Sequence, residues 1–104
     1  MDSEKSYSLF AQAVRESGLT VVDEGFYKFS PHGFTCFLLL SESHASLHAW
    51  PEYGYCAIDL FTCAIGKDMM PLILRIKESL GADKFTLRKI DRDAELETKL
   101  AVAV

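Results

Sequence analysis

The stretch LSESHASLHAWPEYGYCAIDLFTC, residues 40–63, decides how this chain is read. It holds two alternating segments around a turn. In residues 44–50, Ala45, Leu47 and Ala49 point one way while His44, Ser46, His48 and Trp50 point the other, because successive strand side chains change face. In residues 55–63, Cys56, Ile58, Leu60 and Thr62 share one face and Tyr55, Ala57, Asp59, Phe61 and Cys63 the other. Pro51-Glu52-Tyr53-Gly54 between them suits a four-residue hairpin loop. Pairing Trp50 with Tyr55 then sets His48 against Ala57 and Cys63 against Glu42, beside Ser43. This register puts His48, Trp50, Asp59, Phe61 and Cys63 on one face and the aliphatic residues on the other. The mixed face is too polar for a dry core and too apolar for water alone. Such a face meets a partner subunit or a ligand.

Upstream of the hairpin, Phe34 to Leu40 is a nearly continuous apolar run, the pattern of a strand buried on both faces, followed by a turn at Ser41-Glu42-Ser43. Residues 19–29 are rich in Val, Phe, Tyr and Thr and read as a strand with Gly25 as a bulge. Ser30-Pro31-His32-Gly33 is turn chemistry. Tyr7, Phe10, Ala11 and Val14 make one apolar stripe of a helix over residues 4–17, with Ser3 as cap and Gly18 at the left-handed end position. Downstream, Asp68 caps a second helix that tolerates Pro71 in its first turn, buries Leu72, Ile73, Ile76 and Leu80, and stops at Gly81. Residues 84–90 alternate around Phe85 and Leu87 as a last strand; the tail from Asp91 reads as a short helix or loose chain. Two striped helices and about five strands joined by short turns predict an α+β fold. It is a two-layer sandwich with an antiparallel sheet and both helices packed on one face.

The 104 residues make a single domain, with no linker or repeat. A net charge of −4 offers no electrostatic case for nucleic acid or an anionic membrane, and no apolar run approaches the roughly 18 residues of a membrane span. The polar, acidic start MDSEKSYS is unlike a signal peptide. Three cysteines, Cys36, Cys56 and Cys63, are an odd number without metal-ligand spacing, which points to a thiol-reducing cytoplasm rather than a disulfide framework.

A serine with a histidine and a cysteine nearby suggests nucleophilic or acid–base chemistry. Plainer readings stand beside it. His48 can be a sheet histidine bonded to a carbonyl, Cys63 a small buried hydrophobe, Trp50 simple packing, and Glu52 a solvated turn residue. His44 and His48 share a strand face some 13 Å apart by strand rise, too far for one ion, so no metal site is expected.

The same stretch resembles the signature of the bacterial-type S-adenosylmethionine decarboxylases, pyruvoyl-dependent enzymes of spermidine synthesis. Their pattern has SESH, a histidine before TWPE, and GYAAIDLFTCG. The likeness extends upstream through Phe29-Ser30-Pro31-His32-Gly33-Phe34-Thr35 and downstream to the second helix, from about Gly18 to Ile90. The resemblance implies a proenzyme that cuts itself between Glu42 and Ser43 into residues 1–42 and 43–104. The Ser43 hydroxyl attacks the Glu42 carbonyl, and β-elimination and hydrolysis then convert Ser43 into the pyruvoyl cofactor. It implies that His48 moves a proton during processing with the help of Thr35, and that Cys63 donates the proton in decarboxylation. Phe29 and Trp50 would hold the adenine and sulfonium of the substrate S-adenosylmethionine, and Glu52 its ribose. Each role is chemically apt. Loss of CO₂ from an amino acid needs an electron sink, which a pyruvoyl carbonyl in Schiff-base linkage to the substrate amine provides. A sulfonium is drawn to aromatic faces, and a carboxylate accepts hydrogen bonds from a diol.

Three departures stand out against the family's pattern. Thr35 replaces the usual serine, Ala64 the usual glycine, and the chain opens on its first helix where the family has an extra strand. The expectation is a self-processing S-adenosylmethionine decarboxylase acting as a homodimer or higher oligomer. The alternatives are a pyruvoyl-dependent ornithine or arginine decarboxylase of the same family, or a non-catalytic regulatory relative.

Overall fold

The computed structural model describes residues 2–62, 68–91 and 100–103, with residues 89–91 and 100–103 described as backbone. Helix α1 spans Ser3–Glu16. Its cap is Asp2 rather than Ser3: the Asp2 carboxylate accepts the Lys5 N–H at 3.1 Å, and Ser3 is buried in the first turn. An aspartate both satisfies an open amide and sets a negative charge at the positive end of the helix. Phe10, Ala11 and Val14 of the expected stripe are buried, and Gly18 at φ 92° turns the chain out of the helix.

Strands β1 (Val21–Lys28), β2 (Phe34–Leu40), β3 (Ser43–Trp50) and β4 (Tyr55–Thr62) follow as an antiparallel meander. After helix α2 (Met70–Ser79) come β5 (Arg88–Asp91) and β6 (Leu100–Ala103). The six-stranded sheet has the order β1-β2-β3-β4-β6-β5, every pairing antiparallel. The end of the tail is therefore a strand that pairs with β4, not a helix or loose chain, and β5 starts four residues later than the alternation around Phe85 suggested. Residues 92–99 of that tail lie outside the described residues.

The β3–β4 register is the one the alternation predicts: Trp50 pairs with Tyr55, His48 with Ala57 and Ser43 with Thr62. A 3₁₀ turn at Pro51–Tyr53 closes the hairpin, with Gly54 at φ 61°. Both helices cover one sheet face. There Phe34, Cys36, Leu38, Leu40, Ala45, Leu47, Ala49, Ile58 and Leu60 pack against Phe10, Val14, Leu72, Ile73 and Ile76. The Asp68 carboxylate accepts the Met70 N–H at 3.0 Å, Pro71 sits in the first turn, and Gly81 at φ 67° ends the helix. An Arg75–Glu16 ion pair at 2.6 Å ties α2 to α1.

Two expectations about β1 and β2 are corrected. Strand β2 is not buried on both faces: Phe37 and Leu39 are each 45 % exposed on the face away from the helices. Nor is Gly25 the bulge, since the register breaks between Val21 and Asp23. Gly25 lies opposite Phe37, and a Cβ there would come within 2.2 Å of the Phe37 ring, so glycine is needed to give that ring its place on the open face.

Candidate active site

The open sheet face carries the chemistry. Thr35 of β2 and His48 of β3 are direct cross-strand partners, and Thr35 Oγ1 lies 2.9 Å from His48 Nδ1. With Nδ1 engaged, Nε2 is the ring nitrogen left for proton transfer. Around this pair Phe29, His32, Phe34, Ala49, Trp50 and Glu52 line a cleft of about 370 Å³. Two loops shape it. Phe29 N–H donates to the Gly33 carbonyl at 2.8 Å across the turn after β1, and the 3₁₀ turn after β3 presents Glu52. Gly33, at φ 93°, packs so closely that a Cβ would stand 2.9 Å from the Ala49 carbonyl oxygen. Trp50 lies between His48 and Tyr55, at ring distances of 6.2 and 5.6 Å and tilted by 31° and 32° to them. The cleft thus joins aromatic walls, one carboxylate and a hydrogen-bonded Thr–His pair. It suits a flat, cationic, hydroxylated ligand.

Ser43 is at the far end of the same strand. His48 is five steps further along β3, about 16 Å by strand rise. The structure therefore brings Thr35, His48, Phe29, Trp50 and Glu52 together, and leaves Glu42 and Ser43 outside their reach within one chain. Ser43 starts β3 directly after the Ser41-Glu42 loop, with its backbone at φ 156°. Cys63 lies outside the described residues; its neighbour Thr62 is the strand partner of Ser43. Burial pushes the Cys36 thiol up to about 12 and raises that of Cys56, so neither is a thiolate near neutral pH.

One residue of this cleft has no sequence signal of its own. His32 lines the cleft from the turn, where a Ser-Pro-His-Gly run reads only as loop. His44 stacks on Phe61, its strand partner, at 5.6 Å and 14°, with Nε2 3.5 Å from the Asp59 carboxylate. The parity of β3 already sets His44 on the face of His48.

Comparison with known proteins fits this arrangement. A family model described as S-adenosylmethionine decarboxylase matches residues 1–93. The chain is 37 % identical over 81 residues to an S-adenosylmethionine decarboxylase proenzyme of Pseudomonas paraeruginosa, covering 78 % of this chain and 51 % of that one. It is 45 % identical over 73 residues to the Thermotoga maritima proenzyme, covering 70 % and 56 %. The crystal structure of the adenosylmethionine decarboxylase from Aquifex aeolicus superposes with a TM-score of 0.70 at 33 % identity, over 78 % of this chain and 67 % of that one. The chain spans about half the length of the curated relatives it matches. With most of its own length inside the matched region, the chain belongs to the S-adenosylmethionine decarboxylase family.

Proposed function

We propose that the chain is a self-processing, pyruvoyl-dependent decarboxylase of S-adenosylmethionine, working as a homodimer with composite sites and supplying the aminopropyl donor of spermidine synthesis. One observation carries this reading: the Thr35–His48 pair opens into a cleft walled by Phe29 and Trp50 and edged by Glu52. That is the set of groups needed to hold a purine, a sulfonium and a ribose beside a proton carrier.

Processing starts at the Glu42–Ser43 bond. The Ser43 hydroxyl oxygen bonds to the Glu42 carbonyl carbon, the C–N bond breaks, and the hydroxyl proton ends on the freed nitrogen. Loss of the Ser43 α-proton then expels the Glu42 carboxylate, and His48 takes that proton through Nε2 while Thr35 fixes its tautomer. Ser43 fits the role of cofactor precursor because it sits at a hairpin junction with a strained backbone. The dehydroalanine left at position 43 tautomerises to an imine, which water hydrolyses with release of ammonia, and the resulting pyruvoyl carbonyl would supply the electron sink for loss of CO₂. In the decarboxylation, Phe29 and Trp50 bind the sulfonium and adenine, Glu52 accepts from the ribose hydroxyls, and Cys63 returns a proton to carbon.

The separation of about 16 Å between Ser43 and His48 is what calls for a second copy. The open face exposes Tyr27, Phe37, Leu39, Trp50 and Tyr55, more apolar surface than a lone sheet face leaves to water. Two such faces stacked about a two-fold axis lying across the strands set the Ser43 end of one β3 over the His48 end of the other. No helix among the described residues is long and apolar enough to cross a membrane. Unpaired Cys36 and Cys56 suit a reducing cytoplasm.

The test is the intact mass of the purified protein followed by CO₂ release. Fragments 1–42 and 43–104, the second blocked at its N-terminus, are expected, and CO₂ is expected from S-adenosylmethionine. A chain that stays uncut on long incubation, or a cut chain that releases CO₂ from ornithine or arginine instead, overturns the proposal.

A further inference from the structure

We infer that Glu42 is a positioning residue for self-cleavage, acting through the backbone of Thr20 to keep Ser43 in a strained conformation; this rests on the self-processing reading above. The loop between β2 and β3 has only two residues, Ser41 and Glu42, since Leu40 and Ser43 are the closing pair. Two-residue hairpin loops favour primed turns, whose twist matches that of the strands and which require positive φ at one or both loop residues. Neither Ser41 nor Glu42 supplies it: among the described residues the one non-glycine with positive φ is Ser43, at 156°. The loop turns the wrong way for its strands, and the mismatch falls on the first residue of β3. A slip of register cannot relieve it, because Leu40 and Ala45 on either side are buried in the core.

The backbone of Thr20 grips the loop from outside the hairpin. The Ser41 N–H donates to the Thr20 carbonyl at 3.0 Å, and the Thr20 N–H donates to Glu42 Oε1 at 3.1 Å. Thr20 is itself fixed between buried Leu19 and the bulged start of β1. The two loop residues are thus held to the N–H and the carbonyl of one residue at the sheet edge, and the residue that follows them absorbs the misfit. The chemistry exploits this. In the first step the Glu42 carbonyl carbon gains a bond to Ser43 Oγ and loses its bond to Ser43 N, with the hydroxyl proton passing to that nitrogen. The planar peptide that imposed φ on Ser43 is gone in the ester, so the strain belongs to the starting peptide and not to the product of the shift. Holding the loop therefore drives the shift forward.

The experiment follows self-cleavage by timed intact mass for the full chain and for Glu42→Ala and Glu42→Gln, with and without hydroxylamine, which intercepts the ester. Glu42→Ala is expected to slow cleavage at least tenfold, and to slow hydroxylamine-induced cleavage equally, because the shift itself is affected. Glu42→Gln keeps an oxygen acceptor for the Thr20 N–H and is expected to cleave within threefold of the parent chain. Equal rates for all three chains, or equal slowing in both variants, overturn the inference. So does Glu42→Ala cleaving at the parent rate with hydroxylamine. Amide exchange of Thr20 is read in parallel in a Ser43→Ala background. Glu42 is expected to protect that amide at least fivefold over Glu42→Ala, and no protection overturns the clamp. A parent chain that never cuts, yet keeps Thr20 protected, removes the self-processing reading and the role of the clamp with it.

Discussion

Mixing two inactive variants tests the composite site directly. Ser43→Ala removes the precursor of the cofactor, and His48→Ala removes the proton carrier, so each alone is expected to remain uncut. Co-expressed in equal amounts, they pair at random, and about half the dimers are mixed. In a mixed dimer one site receives Ser43 from the His48→Ala chain and His48 from the Ser43→Ala chain, while the other site lacks both. One live site in two, in half of the dimers, gives about one quarter of the parent's cleavable sites. The separation of Ser43 and His48, about 16 Å along a rigid strand, makes the result decisive, because no rotamer of either side chain spans it. The assay is quantitative mass spectrometry of fragment 43–104 in the whole dimer pool, recovered through one tag common to both chains. Cleavage near one quarter, all of it in the His48→Ala chain, is the expected outcome. No cleavage in the mixture refutes the composite site and requires Ser43 and His48 to act within one chain.

Other outcomes follow from the same geometry. Phe37→Glu places a charge on the open face without touching the helix-covered core, and is expected to turn the dimer into a folded, uncut monomer by sedimentation. Thr35→Val leaves His48 Nδ1 without its partner and is expected to slow cleavage at least tenfold, whereas Thr35→Ser holds the parent rate; both are read by intact mass. Trp50→Leu in processed enzyme is expected to raise KM for S-adenosylmethionine about tenfold, the loss of roughly 1.4 kcal/mol of aromatic contact with a cation. Phe10→Ala empties a fully buried site and is expected to destabilise the fold by about 3–5 kcal/mol in urea titration. Stability has a pH dependence with a definite sign. Burial raises Cys36 from 9.0 to about 12, so only the unfolded chain loses this proton between those values. Cys36 thus stabilises the fold fully below pH 9, and the contribution falls by up to about 1.4 kcal/mol per pH unit above it. Cys36→Ala is expected to flatten that slope in urea titrations at pH 8 and 10.

The sequence was most informative where alternation and a short loop constrain each other. Pro51 to Gly54 left one natural pairing for Trp50, and from it the faces of His48, Ala57 and Ser43's neighbour Thr62 followed. Helix α1 was legible because Phe10, Ala11 and Val14 fall on one stripe before Gly18. The pattern of β2 differs from its burial for a physical reason: apolar residues on an open sheet face look the same in sequence as residues bound for a core, so Phe37 and Leu39 read as buried. The tail was misread because Leu100 to Ala103 is small and apolar without period, and only the open edge of β4 makes it a strand. In the site, residue types were legible but distance was not. Ser43 and His48 are close in number, and only an extended β3 shows that they stand apart. His32 was passed over because a turn gives no parity from which to infer the direction of its side chain.

The ladder between β2 and β3 has one more consequence. Seven residues of β2, Phe34–Leu40, pair with seven of β3 across the loop that the proposed reaction cuts. After the cut these strands belong to different polypeptides, held by hydrogen bonds and a shared core. A chain that folded as one molecule becomes an assembly of two, and its refolding becomes a bimolecular encounter that dilution disfavours. On the proposed cleavage, the protein would be assembled easily only once, before the cut. The cut would then serve as a record that folding was complete, since the backbone geometry at Ser43 forms only in the finished sheet.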